Sequence, residues 1–158
     1  MATNMEHYKS LKNDVADRFT EIKETAGDEV IINEFNLDGE SLRTPKLHSR
    51  WLCILGEEAV KAKQIHNMLK KVTLERTRWY MGSQTDKYYA DYGQPHTRVA
   101  KTDLPLYLDA DDYMCVMREV YEIQSQIVDF LEKTIKEISS RTFHIRSAID
   151  WRKFENGS

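Results

Sequence analysis

The chain has 158 residues, 31% of them charged, with only six Gly and three Pro and a formal net charge of −3. That length suits one respectable core, and so few turn-forming residues exclude a turn-rich β architecture in favour of long helices. Its aliphatic and aromatic content argues against general disorder. The apolar runs are too short to span a bilayer, and the polar N-terminus lacks the apolar stretch of a signal peptide, so a soluble, cytoplasmic protein is expected.

Leu11, Val15, Phe19 and Ile22 recur at helical spacing and predict a first helix over 5–25, ending near Ala26-Gly27-Asp28. Residues 30–35 are apolar but too few to type. Thr44 and Pro45 suit the N-cap and first position of a long helix. Its stripe of Trp51, Leu55, Ala62, Ile65, Leu69, Val72 and Trp79 is interrupted by Glu58 and Arg76 and stops at Gly82. Such a helix is about 57 Å long at 1.5 Å per residue, which suits a bundle or coiled-coil assembly better than a lone globule.

Residues 82–103 lose the helical period and carry Gly, Pro and three Tyr, the mark of a functional or mobile stretch. Leu104 to Leu108 read as a short extended lead-in. Asp109 then caps a second long helix, with Asp111 and Asp112 in its first turn. Its apolar face, from Val116 through Val120, Ile123, Ile127, Phe130, Leu131 and Ile135 to Ile138, is wide enough to touch more than one neighbour. Thr142 is placed to cap a last helix through Phe154. There Ile145, Ala148 and Ile149 share one face, and Phe143, Trp151 and Phe154 lie well around from it. A short helix apolar on two sides calls for two partners, one of them another subunit.

Catalytic chemistry finds little footing. Five scattered histidines form no metal-ligand pattern, and no nucleophile elbow or phosphate-binding Gly loop is present. Cys53 and Cys115 read as reduced, half-buried thiols. Asp109, Asp111 and Asp112 are better explained as helix-terminal acids than as the metal site of a nuclease. The sequence thus implies no enzyme, metal or cofactor.

Charge is more informative. Residues 46–102 hold eleven Lys and Arg against five Asp and Glu, whereas 1–45 and 103–158 are both net acidic. Lys70, Lys71, Arg76 and Arg78 crowd the end of the first long helix, followed by Trp79 and Tyr80, and the next stretch adds Lys87, Arg98 and Lys101 beside Tyr88, Tyr89 and Tyr92. Cations that follow phosphates and rings that accept unstacked bases are the equipment of single-strand binding. Trp79 also continues the apolar stripe and reads as core before it reads as a stacking ring, whereas the loop tyrosines suit either role equally. Arg141, Arg146, Arg152 and Lys153 form a second basic group, compatible with inter-subunit salt bridges.

The blocks Leu42–Leu47 through Arg50-Trp51-Leu52, Lys70–Leu74 through Arg78–Gly82, Leu106–Asp111, and above all Arg141–Phe154 resemble the UvsY recombination mediators of large tailed phages, in the same order from about residue 37 to the C-terminus. The resemblance implies an all-α fold whose long helices form a bundle or coiled coil and assemble into a ring-like hexamer or heptamer without catalytic residues. It implies partners as well: single-stranded DNA, a RecA-like recombinase, and the phage single-strand-binding protein that the recombinase replaces. The family's paired basic residues map onto Arg76 and Arg78, before Trp79-Tyr80, and its assembly segment onto Phe143, Ile145, Ala148, Ile149, Trp151 and Phe154. The expected organisation is an acidic helical segment, 1–36, followed by a DNA-binding and oligomerisation domain, 37–158. The competing reading is a helical scaffold without nucleic acid, which leaves the charge segregation unexplained.

Overall fold

The computed structural model describes residues 2–96 and 98–157. The described residues form α1 (Ala2–Glu29), α2 (Leu37–Tyr80), α3 (Asp86–Tyr92), α4 (Leu104–Asp109) and α5 (Asp112–Glu155), with no strand among them. The all-α expectation holds. Burial on the long helices follows a heptad. On α2, Leu37, Thr44, Trp51, Glu58, Ile65 and Val72 are buried at seven-residue intervals. On α5, Met117, Val120, Gln124, Ile127, Leu131, Thr134, Ile138, Arg141 and Ile145 alternate steps of three and four. This is coiled-coil spacing, and the seam is narrower and more polar than the wide apolar face expected of α5.

Two compact units partition the chain: residues 1–18 with 61–125, and residues 19–60 with 126–158. In the first, Val72, Met114 and Met117 form a buried cluster against which Tyr8, Met68, Leu69, Leu108 and Tyr113 pack. In the second, Trp51 is fully buried and its indole N–H donates to Glu29 at 3.1 Å. Phe19 meets Phe130 edge-on at 5.9 Å. Arg141, 1% exposed, donates to Glu40 and to the Val30 and Ile31 carbonyls. One guanidinium thereby closes the segment between α1 and α2 onto α5.

Several boundaries differ from the sequence reading. The first long helix starts at Leu37, where Asn36 accepts from the Gly39 N–H at 3.1 Å. Pro45 lies within that helix, exposed. Thr44 is no cap: its hydroxyl donates to the Glu40 carbonyl at 2.8 Å. The last helix, expected from Thr142, is not separate, because α5 runs unbroken to Glu155. Ser139 and Ser140 donate to the carbonyls of Ile135 and Lys136 and stay helical. The second long helix is capped by Asp111, which accepts from the Met114 N–H at 3.1 Å, while Asp109 ends α4. Cys53 is exposed, rather than half-buried, and Cys115 is half-buried.

The irregular stretch also contains order. Thr85 caps α3, accepting from the Tyr88 N–H at 3.2 Å. Leu104–Asp109 is a short helix with Pro105 in its first turn, not an extended lead-in. Gly82 ends α2 as expected, with φ of 71°. A side chain there would also collide with Arg98, whose Nε lies 2.6 Å from the Cβ position.

Candidate nucleic-acid interface

All nine candidate DNA-binding residues fall in the unit formed by 1–18 and 61–125. They do not all face outward. Lys70, Lys71, Arg78, Lys87, Arg98 and Lys101 are exposed, and among the described residues none of the six enters a salt bridge. Lys63 and Lys70 lie one heptad apart on α2, as do Lys71 and Arg78. Together they trace one flank about 22 Å long at 1.5 Å per residue. Cations arrayed along a helix flank can follow the phosphates of a flexible strand.

Arg76 belongs elsewhere. Its side chain is 6% exposed, its Nε donates to Asp111 Oδ2 at 2.8 Å, and its Nη2 lies 2.8 Å from the same oxygen in an ion pair. Rings surround it, with Trp79 at 4.1 Å, Tyr113 at 4.9 Å and Tyr80 at 5.4 Å from the guanidinium. Burial opposes its charge, but the hydrogen bond and charge of Asp111 outweigh that, so its pKa lies above the ordinary value. A guanidinium so enclosed acts inside the fold and is not offered to a polyanion. The sequence could not distinguish it from Arg78, because its partner lies 35 residues further along.

Trp79 and Tyr80 are half-buried and engaged as well. Trp79 donates its indole N–H to the Gly93 carbonyl at 2.9 Å, and Tyr80 donates its hydroxyl to Asp111 at 3.0 Å. The loop tyrosines brace the segment against α2. Tyr88 donates to Glu75 at 2.5 Å, and Tyr89 accepts from the Gln84 N–H at 3.0 Å. Burial, followed by the hydrogen bond and charge of Glu75, raises the Tyr88 pKa strongly. Burial, with Asp111 next, raises that of Tyr80. The effect is to present Lys87, Arg98 and Lys101 from a folded arm.

Among the described residues no group of His, Cys, Asp or Glu is arranged to hold a metal. The three acids considered for a nuclease have separate surroundings. Asp109 pairs with Arg118 at 2.7 Å, Asp111 with Arg76, and Asp112 is exposed. No helix of the described residues is long and apolar enough to cross a membrane.

The fold has solved counterparts. Crystal structures of the bacteriophage T4 recombination mediator protein UvsY superpose with a TM-score of 0.75, covering 87% of this chain and 96% of that one, and of 0.76, covering 86% and 98%, each at 22% identity. No curated protein sequence matches the chain. The family model described as "Recombination, repair and ssDNA binding protein UvsY" matches residues 25–158. The chain belongs to the UvsY family.

In this UvsY-family chain the assembly candidates divide in two. Ile145 is buried within its own unit, and Ala148 and Ile149 are half-buried. Phe143, Trp151 and Phe154 are 71%, 61% and 75% exposed, as free faces at the end of α5. Phe35 and Leu42 of the same unit are also exposed. In the sequence Phe35 falls in the untyped apolar segment 30–35 and Leu42 in a family-like block, and neither carries a signal of assembly. Asp111 reads from the sequence as a helix-terminal acid, in preference to a metal ligand. Its second role, as carboxylate to Arg76, left no local signal.

Proposed function

We propose that this chain is a recombination mediator that binds single-stranded DNA and promotes loading of a RecA-like recombinase in place of a single-strand-binding protein. Membership of a family described by recombination, repair and single-strand binding supports this reading. The observation that carries it is a set of six exposed cations in the unit of 1–18 and 61–125 that enter no salt bridge among the described residues, set apart from the buried Arg76. Lys70, Lys71 and Arg78 contact phosphates from α2, and Lys87, Arg98 and Lys101 from the arm. Arg76, Trp79 and Tyr80 shape the arm's base.

Assembly multiplies these contacts. Phe143, Trp151 and Phe154 bury against further copies to form a hexamer or heptamer, so phosphate contacts too weak singly add through avidity. Trp151→Ala combined with Phe154→Ala then lowers the mass measured by light scattering while the helical circular dichroism persists. An unchanged mass removes this face from the assembly. The loading role is tested with a RecA-like recombinase on DNA precoated with single-strand-binding protein. The chain should shorten the lag in DNA-dependent ATP hydrolysis. If the lag is unaltered at every concentration, the mediator reading fails. The scaffold alternative predicts assembly without any affinity for oligonucleotides.

A further inference from the structure

We infer that Tyr107 is the ring on which a base of the bound strand stacks. The inference rests on the single-strand reading above and names the residue that meets the bases. Trp79, Tyr80 and the loop tyrosines are the rings that the sequence offers beside the cations, but in the structure Trp79 and Tyr80 are committed. One guanidinium covers Trp79 at 4.1 Å, and Tyr80 is held by Asp111. Tyr8, Tyr88, Tyr89, Tyr92, Tyr113 and Tyr121 are half-buried. Among the described residues of this unit, Tyr107, 46% exposed, is the one Phe, Tyr or Trp side chain that is open to solvent.

Tyr107 is also well placed. Its ring rests against Tyr80 at 5.7 Å and 60°, and its backbone N–H donates to the Asp103 carbonyl at 3.3 Å. The ring is braced before any base arrives, which lowers the ordering cost of stacking. Leu106 beside it is 72% exposed and extends the apolar surface. Tyr80 also fixes the cations, because its carbonyl accepts from the Val99 N–H at 3.1 Å, between Arg98 and Lys101. One residue therefore anchors a stacking ring through its side chain and a basic segment through its backbone. Asp109, at the end of α4, is neutralised by Arg118 at 2.7 Å. Asp103, one turn before Tyr107, repels phosphate, so this surface takes the base and leaves the sugar–phosphate chain to Arg98 and Lys101. Cations that track the backbone beside a ring that accepts any base give binding with little sequence preference.

The test compares an oligothymidylate with an oligonucleotide of equal length built from abasic nucleotides, by fluorescence anisotropy at low salt on the full chain. Tyr107→Ala should weaken binding of the oligothymidylate by about 5- to 150-fold, the range of losing one base–aromatic stack. Its affinity for the abasic strand and its salt slope should stay at wild-type values, and Tyr107→Trp should restore binding. Arg98→Ala with Lys101→Ala should weaken both strands alike. Equal loss on both strands with Tyr107→Ala, or loss on neither, overturns the assignment. If the unaltered chain binds neither strand, the single-strand reading itself fails.

Discussion

Two buried arginines do different work in the two units. Arg76 is paired with one carboxylate and wrapped by Trp79, Tyr80 and Tyr113 at the foot of a basic arm. Arg141 is paired with Glu40, donates to the Val30 and Ile31 carbonyls, and meets the Thr44 hydroxyl at 3.5 Å. The first ties side chains together and sets where neighbouring cations stand. The second ties backbone together and closes a turn. A basic residue in a family of polyanion binders is thus no guide to function until its partner is known. Exposure and pairing decide.

The comparison breaks most visibly at Asp111. That carboxylate holds Arg76, Tyr80 and the first turn of α5, so Asp111→Ala strands a buried guanidinium and removes a cap. Removing one partner of a buried pair costs about 3–5 kcal/mol. Chemical denaturation should show that loss, and oligonucleotide affinity should fall with it as the arm loosens. Arg141→Met should cost about 3 kcal/mol, at the low end of the same range, because Arg43 remains 3.5 Å from Glu40. Its folded fraction should bind oligonucleotide as before. A fall in affinity equal to that of Asp111→Ala would erase the distinction between the two arginines.

The smallest effect sharpens it further. Tyr8, Tyr80, Tyr88 and Tyr113, all in the Arg76 unit, have pKa values raised chiefly by burial; Glu75 adds to this at Tyr8 and Tyr88 and Asp111 at Tyr80, whereas the Arg76 charge opposes it at Tyr113. A phenol whose folded pKa is raised stabilises the fold in full below its ordinary value of 10.0. That contribution is lost as pH climbs through the higher folded value. Tyrosinate absorbance should therefore lag behind free tyrosine above pH 10, Tyr88 ionising last. Tyr88→Phe should delete the latest part of the curve. A curve in which every tyrosine ionises at the ordinary value would show the arm to be open.

How much of this was legible follows from where each partner sits along the chain. The stripe of Trp51, Ile65 and Val72 announced α2 because apolar periodicity is local. Thr44, Glu58 and Arg76 looked like a cap or interruptions of that stripe, yet all three are buried in it. Arg141 lies 97 residues from Thr44 and 101 from Glu40, so nothing nearby marked it as a core residue. Helices of seven and six residues are too short to show a period, which hid α3 and α4. The six exposed cations were visible as a basic stretch. Their separation from Arg76 required coordinates.

The most direct test is the slope of log affinity for single-stranded DNA against log salt, for the unaltered chain and for Lys70→Ala with Lys71→Ala. Each phosphate contact on a single strand contributes about −0.7 to that slope. The account predicts a steep negative slope that becomes shallower by about 1.4 or more in the double variant, with denaturation unchanged. A slope near zero, or one that the double variant leaves as it was, contradicts it.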